Sequence, residues 1–387
     1  MKTLIELYDE RPIENVLGTE VFRPEETIIL CPPEVSVHAL KETLEKYFSY
    51  RGCKVKLNIV SASLLDADKI EKQLQNILET HPDCAIDISG GTDAALFAAG
   101  VVSGDAAVYT YSRKKNSFFE IKNAPFSRSL PCEVRLDARS CFLMAGGTLL
   151  PGRENNEILK EKLSQIDALF SVFQKYRRIW KSQIGYIQSV SSSEPGELLA
   201  EGGLSAPVER GIVNADAGLL HALSDAGLIL DLTITDSSVR FSFPDKTVRF
   251  WLRDIGSVLE LQVYRACIEA GCFDDIVLSA VVNWTGGISQ RDSVTNEIDV
   301  MAVKGVVPLF ISCKTNEIKT EALNELAILR DRFGGKGSRA MIVTSAPATR
   351  SRSVMRMRAA ELNIEVVEWN DLSLNELVNK LRTDKLS

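Results

Sequence analysis

The sequence predicts an α/β protein built in three parts, because the pattern of apolar residues changes twice along its 387 residues. Over residues 1–125, short β-rich runs alternate with helical patterns, which is typical of a doubly wound, mostly parallel sheet. Residues 126–250 are mainly helical and include a turn-rich connector. Residues 251–387 mix strands and helices and are long enough to form one further domain.

The first part contains five predicted strands and four predicted helices. The strands lie at 3–8, 27–31, 54–60, 84–89 and 106–111, and the helices lie at 12–19, 37–50, 66–80 and 94–102. Ligands of such sheets bind outside the carboxyl ends of the strands. We therefore expect the ligand-binding loops to follow Tyr8, Cys31 and Ser89.

The loop after the fourth strand has the composition of a phosphate or ribose cradle. Gly90 and Gly91 allow a tight turn with close backbone approach, and Ser89 and Thr92 offer hydroxyl groups. The helix that begins near Asp93 presents unpaired backbone N–H groups at its start. An ordinary turn between a strand and a helix explains the same residues equally well.

Composition narrows the class of protein. The net charge is −7, with 45 basic against 52 acidic residues, so a surface coated in positive charge is excluded. No apolar run reaches the roughly 18–20 residues that cross a bilayer, and acids near the start argue against a secretory signal, so we expect a cytoplasmic protein. Eight cysteines without a CxxC pair, and only three histidines, predict buried reduced thiols and no zinc site.

The middle part reads as a long helix over 155–185, followed by a second helix at 217–229 and two strands. A helix followed by a β-hairpin is similar to a winged helix. The hairpin has few basic residues, so we favour a spacer that packs between domains over a DNA-reading module.

The third part places three candidate catalytic residues on successive elements. Helices are predicted at 257–270, 319–333 and 350–362, and strands at 276–284, 296–303, 308–314, 339–345 and 364–369. Glu260 lies on the first helix, Asp299 on the second strand and Lys314 at the end of the third strand. Alternation along 296–303 predicts Ile298, Val300 and Ala302 on one face, and Glu297, Asp299 and Met301 on the other.

These residue types suit the hydrolysis of a phosphodiester. The reaction needs a metal ion that stabilises charge on the phosphate and lowers the pKa of an attacking water. Carboxylates such as that of Asp299 supply the oxygen ligands that Mg²⁺ and Mn²⁺ prefer. A lysine such as Lys314 orients the water.

The arrangement resembles the PD-(D/E)xK nuclease superfamily, whose domain has the mixed α/β fold of restriction endonucleases. In this sequence the helix acid is Glu260, the strand acid is Asp299, and the third motif reads Ser312, Cys313, Lys314. The resemblance implies that these acids bind Mn²⁺ or Mg²⁺ and that Lys314 is catalytic. Ser312 stands where the superfamily usually has an acid.

Some members with this serine take the missing carboxylate from the following helix. Glu325 lies eleven residues after Lys314, and Glu321 lies one turn earlier on the same face. We favour Glu325 because Leu323 and Leu326 flank it, so it borders the packed face.

Three segments taken together resemble the CARF-plus-nuclease effectors of type III CRISPR defence, where CARF stands for CRISPR-associated Rossmann fold. They are the opening TLIELYDERPIENVLGTEVFRPE, the middle DISGGTDA, and NEIDV with ISCK and LNELAILRDRFGGKGSRAMIV near the end. The similarity covers nearly the whole chain. It implies that a cyclic oligoadenylate, usually the tetra-adenylate, binds across a dimer of Rossmann-like CARF domains. The ligand then activates a nuclease that needs Mg²⁺ or Mn²⁺ and cuts DNA, RNA or both.

The resemblance also implies an effector pocket and a homodimer formed through residues 1–130. Two acids in the first loop are unexpected beside a polyphosphate, so we expect them to contact adenine or ribose edges or to point away. The residues carried over are Ser89, Gly90, Gly91, Thr92 and Asp93 in the main loop, with Asp9, Glu10 and Pro32 in the neighbouring loops.

Two other functions remain open at this stage. One is a CARF-containing transcription regulator that binds DNA through residues 205–250, although the helix at 217–229 has no basic residue to support it. The other is a ring nuclease that degrades the cyclic messenger, for which the first pocket would be catalytic and Lys314 dispensable. The absence of a GxGxxG after the first strand argues against a dehydrogenase-type Rossmann enzyme.

Overall fold

The computed structural model describes residues 1–151, 156–194, 196–209, 211–285, 294–335, 337–345, 352–369 and 374–382. The first part forms a seven-stranded sheet in the order β3-β2-β1-β4-β5-β6-β7. Its strands are β1 (Thr3–Leu7), β2 (Glu26–Cys31), β3 (Lys56–Ser61), β4 (Cys84–Asp87), β5 (Ala107–Ser112), β6 (Ser117–Lys122) and β7 (Ser129–Pro131). Strands β1 to β5 pair in parallel, which confirms the predicted doubly wound sheet, and β6 and β7 extend it in antiparallel fashion.

Three of the four helices of this part begin at a polar side chain that caps them. The four helices are α1 (Leu17–Phe22), α2 (Val37–Tyr50), α3 (Ala67–Thr80) and α4 (Asp93–Val102). Ser36, Asp66 and Thr92 accept backbone N–H groups in the first turns of α2, α3 and α4. The helix predicted at 12–19 is a short 3-10 turn, Pro12–Asn15, followed by α1.

The middle part is a set of short elements, and the single helix predicted at 155–185 is wrong because that stretch forms three helices. The helices are α5 (Ala138–Met144), α6 (Asn156–Glu161), α7 (Leu163–Tyr176), α8 (Trp180–Val190), α9 (Ala217–Asp225) and α10 (Lys246–Trp251). The strands are β8 (Thr148–Leu150), β9 (Leu199–Gly203), β10 (Ser205–Val208), β11 (Gly211–Asn214), β12 (Leu230–Ile234) and β13 (Ser238–Ser242).

Helix α9 and the three-stranded sheet β12-β13-β9 have the predicted winged-helix-like arrangement. Leu219 and Phe241 of this unit belong to the same hydrophobic cluster as Leu261 and Ile311 of the third part. The unit therefore shares one continuous core with the third part.

The third part is a mixed sheet in the order β18-β17-β16-β15-β14-β8. Its elements are α11 (Ser257–Ala270), β14 (Asp275–Asn283), β15 (Thr295–Lys304), β16 (Val307–Lys314), α12 (Thr320–Phe333), β17 (Arg339–Thr344), α13 (Arg352–Glu361), β18 (Ile364–Glu368) and α14 (Leu374–Arg382). Strands β14, β15 and β16 form an antiparallel meander, and β16, β17 and β18 are parallel. The predicted mixed α/β fold is confirmed.

The connecting region does not stand apart from the two sheets. It supplies β7 to the first sheet and β8 to the edge of the second, beside β14. Runs of three residues carry too little alternation to be recognised in a sequence. The two sheets also share one hydrophobic cluster, which includes Leu4 and Tyr109 from the first and Met301 and Phe310 from the second.

The predicted faces of β15 are wrong at one position. Val300 and Ala302 join one hydrophobic cluster, whereas Ile298 joins the other, so the strand changes faces at Asp299. In the neighbouring strand β14, Ser279 lies between the register pairs Leu278–Val300 and Ala280–Ile298. Its φ of 52° falls in the left-handed region. Such a residue interrupts the pleat of a strand pair. Asp299 therefore lies at a break in the alternation.

Among the described helices, none combines the length and the apolar character needed to cross a bilayer.

Candidate functional site

A cavity of about 40 Å³ between β15, β16 and α12 collects the candidate catalytic side chains of the third part. Its polar lining residues are Glu297, Asp299, Ser312, Lys314 and Glu325. The sequence analysis predicted all of these as site residues except Glu297. The available signal was the acid–x–acid spacing of Glu297 and Asp299 within one strand.

Asp299 is held in place by the end of β16. Its Oδ2 accepts the backbone N–H of Cys313 at 2.5 Å and the hydroxyl of Ser312 at 3.2 Å. The ammonium of Lys314 lies 3.9 Å from the same oxygen. Ser312, which stands where an acid is usual, thus serves as a hydrogen-bond donor that orients the remaining carboxylate.

The cavity has an excess of negative charge. Burial raises the pKa of Asp299, and Lys314 offsets this effect only in part. Burial and the charge of Asp299 raise the pKa of Glu260 to about 8. Without an added cation Glu260 therefore carries a proton at neutral pH. Such a field favours a bound cation.

Glu260 responds to this field from outside the cavity lining. It lies on α11 and is partly buried, and it is not among the lining residues. The structure therefore brings Asp299, Ser312, Lys314 and Glu325 together and leaves Glu260 behind them.

Of the two candidate carboxylates on α12, Glu325 and Glu321, the structure places only Glu325 at the cavity. Glu325 lines it and accepts a hydrogen bond from the side-chain amide of Asn296 at 2.5 Å. Glu321 lies one turn earlier and is not among the lining residues. The buried Leu323 and Leu326 hold this face of α12 against the sheet.

The donors present suit a partly hydrated divalent ion. Within the ranges that the structure describes, no group of three histidine, cysteine or acidic side chains converges closely enough to hold a metal ion by itself. Asp299 and Glu325 nevertheless supply carboxylate oxygens to one cavity. Mg²⁺ commonly binds through one or two carboxylates and completes its shell with water and substrate phosphate.

A cavity of about 760 Å³ lies at the other end of the same strands, where β15 ends and β16 begins. It is lined by basic side chains, but Arg113, Arg135 and Arg339 each pair with an acid within 3.6 Å. It contains none of the candidate catalytic residues.

In the first part, the loop after β4 uses its hydroxyls to hold itself together. The Ser89 hydroxyl donates to Asp87 and accepts the backbone N–H of Tyr111 at 2.7 Å. The Thr92 hydroxyl donates to the Leu64 carbonyl and caps α4. Both hydroxyls are thus engaged within the protein in this ligand-free structure, and their role toward a ligand stays a prediction.

The two glycines of this loop lie so close to the end of β1 that no larger residue fits in either position. A Cβ on Gly90 would lie 2.8 Å from the Cβ of Asp9, and one on Gly91 would lie 2.8 Å from the Cβ of Leu7. Gly91 also has a φ of 100°, which side chains rarely allow. The predicted close approach of backbone is present, and its partner is β1.

The first loop is neutralised by an arginine that the sequence analysis did not single out. Two side-chain N–H groups of Arg11 donate to the Asp9 carboxylate at 2.7 Å. The Arg11 guanidinium also donates to the Ser89 carbonyl at 3.4 Å. Burial raises the pKa of Asp9, but these hydrogen bonds outweigh it and hold the pKa below its ordinary value. Asp9 therefore points to Arg11. Glu10 is exposed, and Pro32 is partly buried after β2.

An apolar patch lies beside the loop of residues 89–93, which follows β4. Leu65, just before α3, is 83% exposed, and Phe97 and Val101 on α4 are 65% and 56% exposed. Helices α3 and α4 pack against each other, and Phe97 and Val101 lie one turn apart on α4. An apolar patch of this kind on a helix pair is typical of an interaction surface.

The class of the third part follows from its sequence as well as its site: residues 245–385 match the family model described as the Card1-like endonuclease domain. The third part is therefore similar to Card1-like endonuclease domains. Among curated protein sequences, none matches the chain.

Solved structures extend the likeness to the whole chain. Protein VC1899 from Vibrio cholerae has a TM-score of 0.74 at 17% identity, over 99% of this chain and 97% of that one. Can2 from Sulfobacillus thermosulfidooxidans, solved in complex with cyclic tetra-adenylate, has a TM-score of 0.71 at 15% identity, over 98% and 99%. A type III CRISPR defence DNA nuclease activated by cyclic oligoadenylate has a TM-score of 0.52 at 13% identity, over 99% of this chain and 52% of that one. The chain has the fold of these proteins.

Proposed function

We propose that the protein is a metal-dependent endonuclease of type III CRISPR antiviral defence that cyclic tetra-adenylate activates. The observation that carries the proposal is the cavity of the Card1-like endonuclease domain, where Asp299, Lys314 and Glu325 meet. The fold shared with Can2, which was solved with cyclic tetra-adenylate, supports the choice of activator. We place the protein in the cytoplasm and take DNA, RNA or both as its substrate.

In the proposed mechanism, Asp299 and Glu325 would hold Mn²⁺ or Mg²⁺. When bound, the ion would stabilise charge on the phosphate and lower the pKa of the attacking water. Ser312 and the Cys313 N–H fix the Asp299 carboxylate, so one of its oxygens is already oriented. The Lys314 ammonium, 3.9 Å from Asp299, orients the water and balances the charge that develops.

The proposed effector site lies at the carboxyl edge of the first sheet. Its parts are the loop of residues 89–93, the start of α4 and the Arg11 guanidinium. The two hydroxyls of the loop are used internally, so the phosphates would be bound by backbone N–H groups and by Arg11.

We propose that the active form is a homodimer through residues 1–130. A cyclic ligand with two-fold symmetry fits a site made by two copies of one surface. The apolar patch of Leu65, Phe97 and Val101 flanks the effector loop, and a second copy would cover it. The same contact would bring the two loops to one axis.

A cleavage assay tests the proposal. Labelled single-stranded DNA and RNA are incubated with the protein and Mn²⁺, with cyclic tetra-adenylate, with linear tetra-adenylate or without a ligand. We expect cleavage only with Mn²⁺ and strongest with the cyclic form, and none in EDTA. Equal cleavage in all three ligand conditions would contradict activation, and no cleavage in any of them would contradict the nuclease assignment.

A further inference from the structure

A hydrogen-bonded chain joins the catalytic cavity to a second cleft that no catalytic residue lines. The Trp284 indole N–H donates to the side-chain oxygen of Asn296 at 2.7 Å. The Asn296 side-chain nitrogen then donates to Glu325 at 2.5 Å. Both ends of the Asn296 amide are therefore used, and its orientation is fixed by its two partners.

The packing around Trp284 keeps the hydrogen bonds between Trp284, Asn296 and Glu325 in one arrangement. Its ring meets Phe333 edge to face, with centroids 5.4 Å apart. Phe333 is fully buried, and a Cβ on Gly147 would lie 2.5 Å from its ring, so it has no room to move. The backbone N–H of Trp284 also donates to the Val294 carbonyl, just before β15 begins.

The cleft at the other end of the chain borders the proposed effector side. It has a volume of about 410 Å³, and Trp284 lines it together with Asp9, Glu10 and Arg332. Asp9 and Glu10 belong to the loop after β1, whereas Trp284 follows β14. The first and third parts of the protein thus meet at Trp284, the residue whose hydrogen bond leads through Asn296 to Glu325.

We propose that Asn296, oriented by Trp284, is a positioning residue that sets the Glu325 carboxylate in the catalytic cavity, and that Trp284 connects this carboxylate to the cleft beside the effector loop. The proposal rests on the proposed function, because Glu325 is taken as a metal ligand. Partners of this kind orient ligating carboxylates, and their loss commonly weakens metal affinity about 10–100-fold.

The test measures Mn²⁺ binding by isothermal titration calorimetry as well as cleavage. Asn296→Asp keeps the size of the side chain but replaces the donor by a negative charge that repels Glu325. We expect about tenfold weaker Mn²⁺ binding, and half-maximal cleavage at a correspondingly higher Mn²⁺ concentration. Trp284→Phe keeps an aromatic ring, although a smaller one, beside Phe333 and removes the N–H, so we expect a smaller loss in the same direction.

Asn324→Asp is the matched control. It makes the same chemical change one residue from Glu325, at an exposed position of α12 outside the cavity lining. We expect Mn²⁺ affinity within about twofold of the wild type, since exposed charges are well screened. In a Glu325→Gln background, Asn296→Asp should have no further effect, because it acts through Glu325.

The outcomes separate this inference from the function on which it rests. If the wild type binds Mn²⁺ and cleaves, and Asn296→Asp and Trp284→Phe behave like Asn324→Asp, the positioning role is overturned and the nuclease assignment stands. A wild type that neither binds Mn²⁺ nor cleaves overturns both. An additive effect of Asn296→Asp in the Glu325→Gln background also overturns the positioning role.

Discussion

Asp299 and Lys314 have different environments although their charged atoms lie 3.9 Å apart. Asp299 is mostly buried and has two hydrogen-bond donors from β16. Lys314 ends that strand and is 38% exposed, so it faces the open side where a phosphate would arrive. The carboxylate is thus fixed from behind and the ammonium is available to a substrate.

Replacing Lys314 with alanine should therefore remove catalysis without removing the fold. We expect Lys314→Ala to lower the cleavage rate about 10²–10⁴-fold, the usual contribution of a positioned catalytic group to proton transfer. Lys319→Ala, which removes an exposed lysine just before α12, should cleave normally. Single-turnover rates at fixed Mn²⁺ make the comparison, and a wild-type rate for Lys314→Ala would refute its role.

The two glutamates of α12 allow an equally direct comparison. Glu325→Ala should abolish Mn²⁺-dependent cleavage, whereas Glu321→Ala should cleave within about twofold of the wild type, because only Glu325 lines the cavity. Rates over a Mn²⁺ titration measure both. If Ser312→Ala is inactive and Glu325→Ala is normal, the carboxylate does not come from α12.

Strands β1 and β4 bring two acids together inside the first sheet. Glu6 and Asp87 are register partners, and they are only 1% and 2% exposed. Gly18 packs against both, since a Cβ there would lie 2.6 Å from one Asp87 oxygen and 3.0 Å from a Glu6 oxygen. Burial raises the pKa of Asp87 to about 7, and burial and the charge of Asp87 raise the pKa of Glu6 well above its ordinary value.

These acids should make the stability of the protein fall as pH rises. The folded state keeps protons that the unfolded chain releases from about pH 4 upward, so unfolding becomes easier until pH passes the folded pKa, about 7 for Asp87. The slope is at most about 1.4 kcal/mol per pH unit for each proton. Asp87→Asn keeps an oxygen for Ser89 and cannot ionise, so its stability should depend less on pH.

Urea unfolding between pH 5 and pH 8 measures this dependence. Asp93→Asn is the control, because it removes the same charge from an exposed position at the start of α4. It should retain the slope of the wild type. Equal slopes for all three proteins would show that the buried pair does not titrate in this range.

The elements most visible in the sequence were those with long, regular patterns. Helices α2, α11 and α12 and strand β16 were predicted within one residue, because their apolar periodicity extends over eight or more positions. Strands β7 and β8 have three residues each and were missed. The face change at Asp299 was missed as well, because it depends on the backbone of Ser279 in the neighbouring strand.

The candidate site divides in the same way. Asp299, Lys314 and the helix carboxylate Glu325 could be predicted, because order along the chain and strand context carry the signal. The hydrogen bonds from Trp284 to Asn296 and from Asn296 to Glu325 could not be predicted, because these residues come from separate elements, and neither could the contact of Arg11 with the Ser89 carbonyl. Only the folded chain brings such residues together.

At the scale of the whole molecule, the shared hydrophobic cluster packs the sheet of the first part against the sheet of the third part. We therefore expect a movement of one sheet to shift the other. The proposed dimer adds a second contact, through the apolar patch of Leu65, Phe97 and Val101. A ligand activates only if it binds the cutting-competent arrangement more tightly than the resting one. We expect the signal to pass as a rotation of the nuclease parts relative to the sensor parts.

Disrupting the patch should therefore separate the two copies. Phe97→Asp places a charge in the proposed interface, and we expect a monomer that cyclic tetra-adenylate no longer activates. Ile212→Asp makes a similar change at an exposed residue of β11, outside residues 1–130, and should remain a dimer. Sedimentation velocity with and without the ligand measures both, and a wild type that is monomeric in both conditions would refute the dimer.

The central claim is that a ligand bound by the first part switches on the cavity of the third. Ligand binding by calorimetry and initial cleavage rates at fixed Mn²⁺ are measured together for the wild type and Asp299→Ala. We expect both proteins to bind cyclic tetra-adenylate with equal affinity, at one ring per two chains, and only the wild type to cut with a rate that follows ring occupancy. Ligand-stimulated cleavage by Asp299→Ala, or a wild-type rate that does not change as the ring saturates, would contradict the account.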